Sequence, residues 1–212
     1  MKDSAVFWDW IAERYARSRI PDMEKYLHTL ERTRTHLKPE DRVLEVGCGT
    51  ASTALALAMN VREMVVSDIS SKMIAIGREK ATATGVNNIR FVVGDVGAEA
   101  IGNQPYDAVM AFNMLHLVED IPSELFRIAA RVKKGGLFIS KTICLGGGGV
   151  PLKVKAFMLA VPLLRLMGLA PKVKTFSVET LDAMVRSAGF EIIEAGNFPA
   201  SPPRRYLVAR KI

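Results

Sequence analysis

The chain has 212 residues, enough for one domain that buries roughly 70% of its unfolded surface, and its 49% hydrophobic and 24% charged residues exclude disordered and collagen-like classes. Its formal net charge is +7, yet residues 1–150 hold 19 basic and 18 acidic side chains whereas residues 151–212 hold 10 and 4. The excess is local to the last third, which argues against a general binder of nucleic acid or other polyanions.

In chain order, residues 4–18 have helical periodicity with Trp8, Ile11, Ala12 and Tyr15 on one face. Phe7, Trp8, Trp10 and Tyr15 concentrate aromatic surface there, including both tryptophans of the chain. A second helix is expected over 22–37, opened by Pro21-Asp22 and closed before Pro39. Short apolar strands then alternate with helices: strands at 43–46, 64–67, 89–93, 106–112 and 137–143, and helices at 51–59, 71–84 (stopped by Gly85) and 122–132. Such alternation implies parallel strands joined by crossover helices, an α/β doubly wound sheet. The tail breaks the rhythm, because a helix at 177–188 precedes strands at 190–195 and 206–210 with no helix between them, and these pair most simply as an antiparallel edge.

In an open parallel sheet, ligands sit beyond the carboxyl ends of the strands. The first strand runs into Val43-Leu44-Glu45-Val46-Gly47-Cys48-Gly49-Thr50, where two glycines permit a tight turn and close backbone approach to a ligand. Two glycines alone also fit an ordinary strand-to-helix turn. However, Asp68 ends the second strand, 19 residues beyond Gly49, near the spacing at which a carboxylate meets ribose hydroxyls. Asp95 follows the third strand and Asn113 the fourth, and four polar strand ends together are hard to explain as separate caps. A dinucleotide fingerprint would carry a third small residue for a pyrophosphate, but Ser52 is off that pattern. Glu45 is ill placed beside a pyrophosphate and well placed near an ammonium group.

At these residues the chain resembles the class I S-adenosylmethionine-dependent methyltransferases, in particular the small-molecule branch with the type 11 and ubiquinone/menaquinone C-methyltransferases. The resemblance spans about residues 40–145, and it implies a mostly parallel seven-stranded Rossmann-like sheet with an antiparallel C-terminal strand. S-adenosyl-L-methionine is the implied cofactor, with Glu45 on the methionine amino side and Gly47, Cys48, Gly49 and Thr50 against the cofactor. Asp68 would take the ribose hydroxyls, and Ile69, Met73, Asp95 and Val96 would lie on the adenine side. Asn113 and Met114, with Leu115 and His116, would line the methyl-donor end. Lys133-Lys134-Gly135-Gly136 resembles the turn that precedes the family's fifth strand. The departure is Thr50 in place of a third glycine.

The chain is then expected to form one domain: an N-terminal helical lid (1–38), a cofactor-binding core (40–145), a lid or substrate insertion (146–175) and a C-terminal helix with two strands (176–212). Trp8 and Tyr15 are the lid residues expected near the sulfonium, since aromatic faces attract cations. His116 is the candidate general base because histidine titrates near neutrality, although a lone histidine among leucines also reads as a packing residue. His28 and His36 have no expected chemistry, and no metal is expected. The stretch 150–171 repeats apolar residues at helical spacing (Leu152, Phe157, Met158, Val161, Leu164, Met167), with Pro162 expected to kink it. Lys153, Lys155, Arg165, Lys172 and Lys174 accompany it with no acidic residue between Pro151 and Ser177. It reads as core packing, or as an apolar lid with basic flanks toward an anionic substrate or lipid surface, hinged at Gly146–Gly149.

The expected partner is a small, lipophilic or aromatic acceptor methylated at O, N, C or S. The alternatives are a lipid headgroup N-methyltransferase at an anionic membrane surface, a cofactor-binding partner without turnover, and a nucleotide-dependent reductase. Cys48 and Cys144 cannot build a disulfide framework, and no long apolar run occurs, so a cytoplasmic protein with possible membrane contact is expected.

Overall fold

The structure, a computed structural model, describes residues 2–166 and 169–212. Its elements in chain order are α1 (Lys2–Arg17), α2 (Met23–Arg34), β1 (Arg42–Val46), α3 (Ser52–Leu57), β2 (Glu63–Asp68), α4 (Ser71–Thr84) and β3 (Ile89–Val93). There follow β4 (Tyr106–Phe112), α5 (Ile121–Arg131), β5 (Val132–Ile143), α6 (Leu152–Leu166), α7 (Val178–Ser187), β6 (Phe190–Ala200) and β7 (Pro203–Lys211). The strands form one sheet in the order β3-β2-β1-β4-β5-β7-β6. β1 pairs in parallel with both β2 and β4, so the strand order reverses there and a crevice opens beyond its carboxyl end. Only β7 runs against the rest, inserted between β5 and β6. The two consecutive tail strands pair antiparallel, as expected, but β7 is interior and β6 forms the edge.

Strand alternation decides the two cores. Leu44, Val65, Val109, Phe138 and Leu207 point to one face, where Leu125 and Ile128 of α5 and Leu181 and Val185 of α7 cover them. Val43, Val66, Met110, Ile139 and Val208 point to the other, under Leu30 of α2, Ala54 and Leu57 of α3, and Ile74 of α4. Leu44 and Phe138 are fully buried, so truncating either to alanine would cost about 2–5 kcal/mol.

Element ends differ from expectation for identifiable reasons. α2 stops at Arg34 and is capped by Asp22, whose carboxylate accepts from the Lys25 amide at 3.0 Å. α3 is shorter than expected because Ala51 is held in the left-handed region at φ +56° by the turn that closes onto Cys48. Lys133-Lys134-Gly135-Gly136 is extended chain at the start of β5, where the register with β4 shifts between Tyr106 and Ala108. α6 runs through Pro162 as one helix and contributes no buried residue. Leu152 is 81% and Phe157 60% exposed, while Met158, Val161 and Leu164 are half-buried, so the expected apolar stripe is split and core packing does not account for it. Met167 lies outside the described residues. Gly146 is a packing glycine more than a free hinge: its amide donates to the Phe176 carbonyl at 2.9 Å, and a Cβ there would strike that backbone.

Candidate functional site

The crevice is built from the turn after β1. Gly47 (φ +64°) and Gly49 (φ +53°) adopt conformations that side chains resist, and a Cβ on Gly47 would collide with Met114 after β4. Both backbones can therefore approach the crevice closely. Across it, Asp68 at the end of β2 holds the loop open: its Oδ2 accepts from the Gly49 amide at 2.8 Å and its Oδ1 from the Ser70 amide at 2.9 Å. Burial raises the Asp68 pKa above its ordinary value, and these two amide bonds offset that only in part.

Glu45, two residues before Gly47, is 2% exposed and its Oε2 has no hydrogen-bond partner. Burial pushes its pKa up to about 8, offset slightly by the Ala54 amide and reinforced by Asp68. A buried carboxyl with an empty oxygen is rare, because such a group pays the full desolvation penalty, and it marks a place prepared for a donor or cation.

α1 roofs this crevice. Tyr15 Cε1 lies over Gly49, 3.6 Å from where a Cβ would stand, and the Trp8 ring meets Tyr15 edge to face at 6.2 Å. The Tyr15 ring is 47% exposed, but its hydroxyl end senses Asp68, Glu45 and Tyr26, so burial and then those neighbours raise its pKa. Trp10 points away and is 63% exposed. Asp9 fastens the helix down. Its carboxylate accepts from Ser70 Oγ at 2.6 Å and from the Lys72 amide at 3.0 Å, at the N-terminus of α4 where the helix dipole favours an anion.

Of the residues singled out by sequence, Glu45, Gly47, Gly49, Asp68, Asn113, Met114, Trp8 and Tyr15 surround this crevice. Met73 and Val96 are 1% exposed, much as Glu45 is, and Cys48 is 9% exposed, its thiol pushed by burial well above its usual range. Thr50 is buried, its hydroxyl accepting from Lys80 Nζ at 2.8 Å, and Ile69 is half-buried. Asp95 is held between the Arg127 guanidinium at 2.8 Å and the Gly97 amide at 2.9 Å, which outweigh burial and lower its pKa. His116 sits in a single 3-10 turn; burial and then Arg204 lower its pKa to about 4, so it is neutral at pH 7. Its Nδ1 is buried without a partner, and its carbonyl accepts from the Lys174 amide at 2.7 Å, tying down the chain returning from α6. Among the described residues no group of three or more His, Cys, Asp or Glu side chains could hold a metal ion.

Beside Asn113 lies a partly open cavity of about 190 Å³ between α2, the ends of β4 and β5, and the β6–β7 turn. Tyr26, Leu30, Phe112, Pro199, Lys141 and Arg204 are among its walls. A wider depression of about 560 Å³ on the outer side of α1, among Trp10, Arg14 and Lys72, is shallow and lies away from the strand ends. Sequence reasoning missed Tyr26, Lys141 and Arg204. The available signal was a lysine inside the otherwise uncharged strand Phe138-Ile139-Ser140-Lys141-Thr142-Ile143, because an interior charge needs a reason.

The switch-point crevice with paired glycines, an acidic residue at the end of the second strand and an inserted antiparallel β7 defines a Rossmann-like methyltransferase fold. The chain belongs to the methyltransferase-domain family, whose model matches residues 14–195. It is 28% identical over 102 residues to the uncharacterized methyltransferase YcgJ of Bacillus subtilis, covering 48% of this chain and 40% of that protein. It is 33% identical over 112 residues to the demethylmenaquinone methyltransferase of Bacillus cytotoxicus, covering 51% of this chain and 46% of that enzyme. The chain thus spans less than half the length of these two relatives in the matched regions. Among solved structures, a DhpI–SAH complex shares the fold with a TM-score of 0.73 at 19% identity, covering 99% of this chain and 96% of that one.

Proposed function

We propose that the protein binds S-adenosyl-L-methionine in the β1–β2–β4 crevice and transfers its methyl group to a small acceptor held in the cavity beside Asn113. The observation that carries this reading is Glu45: a buried carboxyl with an unpartnered oxygen, next to a glycine turn whose backbone is open to approach. Such a carboxyl fits the ammonium of the cofactor's methionine part, which favours its ionised form, whereas beside a pyrophosphate it would have to stay protonated. When bound, the cofactor supplies a methyl on a sulfonium sulfur that needs no further activation.

What remains for the chain is to bind, align and exclude water. Asp68 keeps acceptor capacity for ribose hydroxyls beyond its two amide bonds, the Met114 side chain packs against the Gly47 turn, and α1 closes the top with Tyr15 and Trp8. Alignment alone can supply effective molarities of roughly 10⁵–10⁸ M. His116 is neutral at pH 7 and serves no base role in this reading, since an imidazole with a pKa of about 4 is a weak proton acceptor at neutral pH. The apolar walls Tyr26, Leu30 and Phe112 support a lipophilic or aromatic acceptor.

Calorimetric binding of S-adenosylhomocysteine but not of NAD or NADP tests the cofactor, and labelled methyl transfer to a panel of phenols, quinones, thiols and amines tests the activity. Binding of a dinucleotide in preference would overturn the proposal.

A second reading adds to the first: α6 rests on an anionic lipid surface. Its outer side exposes Leu152, Phe157, Leu159, Leu163 and Leu166 beside Lys153, Lys155 and Arg165, which have no acidic partner among the described residues. No helix among the described residues is long and apolar enough to cross a membrane, so such contact would be peripheral.

A further inference from the structure

We infer that the acceptor carries an oxyanion, a carboxylate or a comparably acidic hydroxyl, and that Lys141 and Arg204 hold it in the cavity beside Asn113. The inference rests on the reading of that cavity as the acceptor site.

Lys141 lies on β5 with 7% of its surface exposed. Its Nζ donates to two neutral groups of α2, the Thr29 hydroxyl at 3.2 Å and the Lys25 carbonyl at 3.3 Å. An ammonium has three donors, and the third has no protein partner among the described residues. No carboxylate pairs with it there either, which is unusual for a buried cation.

The strand register supplies a second cation. Lys141 stands opposite Tyr206 and Ile143 opposite Arg204, so Lys141 and Arg204 are diagonal neighbours on one face of the β5–β7 pair, with Cα atoms about 7–8 Å apart. The adjacent Arg205, on the other face, commits its guanidinium to Asp182 at 3.0 and 2.5 Å. Arg204 has no such partner among the described residues and lines the cavity with Lys141.

Two like charges placed side by side repel, and neither is paired with a carboxylate among the described residues. Of the other charged groups around the cavity, Asp22 offsets part of this for Lys141, by less than burial and Arg204 oppose it. Lys25 is paired with Glu24 at 2.9 Å, and Asp22 is an exposed carboxylate at the mouth that caps α2. His116, close to Arg204, is neutral at pH 7 and adds no charge. Burial, and then the charge of Arg204, lower the Lys141 pKa to about 8, with Asp22 offsetting part of this, and a bound oxyanion would favour the ammonium. At about 190 Å³ the cavity is smaller than the roughly 300–1,000 Å³ of sites for drug-sized ligands, so it suits a small acid or the acidic end of a longer molecule.

The test uses the full chain saturated with S-adenosylhomocysteine and calorimetric titration with matched pairs: 4-hydroxybenzoate against 4-hydroxybenzamide, octanoate against octanamide, and 4-nitrophenol against 4-nitroanisole. At least one acid is expected to bind about tenfold or more tightly than its neutral partner. Lys141→Met and Arg204→Met should each cut that preference about tenfold, while Lys141→Arg keeps most of it, which a purely structural role for the side chain would not produce. The S-adenosylhomocysteine titration of each variant reports whether its fold and cofactor site are intact. Equal binding of all acids and their neutral partners, or a preference that survives in the Lys141→Met/Arg204→Met double variant, overturns the inference and leaves the cofactor proposal standing. Failure of the wild-type chain to bind S-adenosylhomocysteine overturns both.

Discussion

At the scale of single residues, the crevice is prepared by groups that the folded chain leaves unsatisfied. Glu45 makes this measurable. Its folded pKa of about 8 lies far above an ordinary glutamate value, so between about pH 4.3 and 8 the folded chain binds more protons than the unfolded one. The sign follows: Glu45 lowers the stability of the ligand-free protein progressively as pH rises through that window. Glu45→Gln should melt above the wild type at pH 8, with the difference vanishing below about pH 4. A ligand ammonium reverses the balance, because it favours the ionised carboxylate. At pH 7, S-adenosylhomocysteine binding should therefore release close to one proton from the wild type and none from Glu45→Gln. Titrations in buffers of different ionisation enthalpy read this directly, and proton uptake by the wild type would contradict it.

At the scale of elements, α1 is tied to the body mainly through the N-terminus of α4, where Asp9 meets Ser70 and the Lys72 amide. Ser70 also caps α4 by accepting from the Met73 amide at 3.1 Å, so α4 keeps its own cap if Asp9 is lost. Asp9→Ala should thus loosen the roof without unfolding α4. A contribution of about 1 kcal/mol corresponds to a roughly fivefold faster release of S-adenosylhomocysteine. Stopped-flow tryptophan fluorescence suits the measurement, since both tryptophans sit on α1, and an unchanged release rate would mean that Asp9 is no latch. Most elements were legible in the sequence because apolar periodicity and capping residues are local signals: Asp22, Gly85 and Ser177 end or begin helices where expected. The glycine turn and Asp68 were legible for the same reason. Lys141 stood out only as a charge inside a strand, and its pairing with Arg204 was not legible, because only the insertion of β7 beside β5 brings the two together across 63 residues of chain. Burial of Val96 and Met73 depends likewise on tertiary packing, which spacing from a strand end does not reveal.

At the scale of the whole molecule, charge and apolar surface are segregated together. The near-neutral body carries the crevice, whereas the basic excess falls in residues 151–212, which include α6, a long helix with no buried residue among those described. Lys172 is paired with Glu119, but Lys153, Lys155 and Arg165 on α6 face no carboxylate among the described residues. An apolar helix side bordered by free cations suits an anionic lipid surface, where each such cation contributes about 1 kcal/mol. Three of them give about 3 kcal/mol, a roughly hundredfold preference for vesicles containing phosphatidylglycerol over pure phosphatidylcholine, and added salt should erode it. Sedimentation with the two vesicle types measures this preference. Lys153→Glu with Lys155→Glu should abolish the discrimination, and Phe157→Ser with Leu163→Ser should weaken binding to both, while S-adenosylhomocysteine affinity is unchanged because α6 contributes nothing to the crevice. Equal sedimentation with both vesicle types would assign the apolar face of α6 to something other than an anionic membrane.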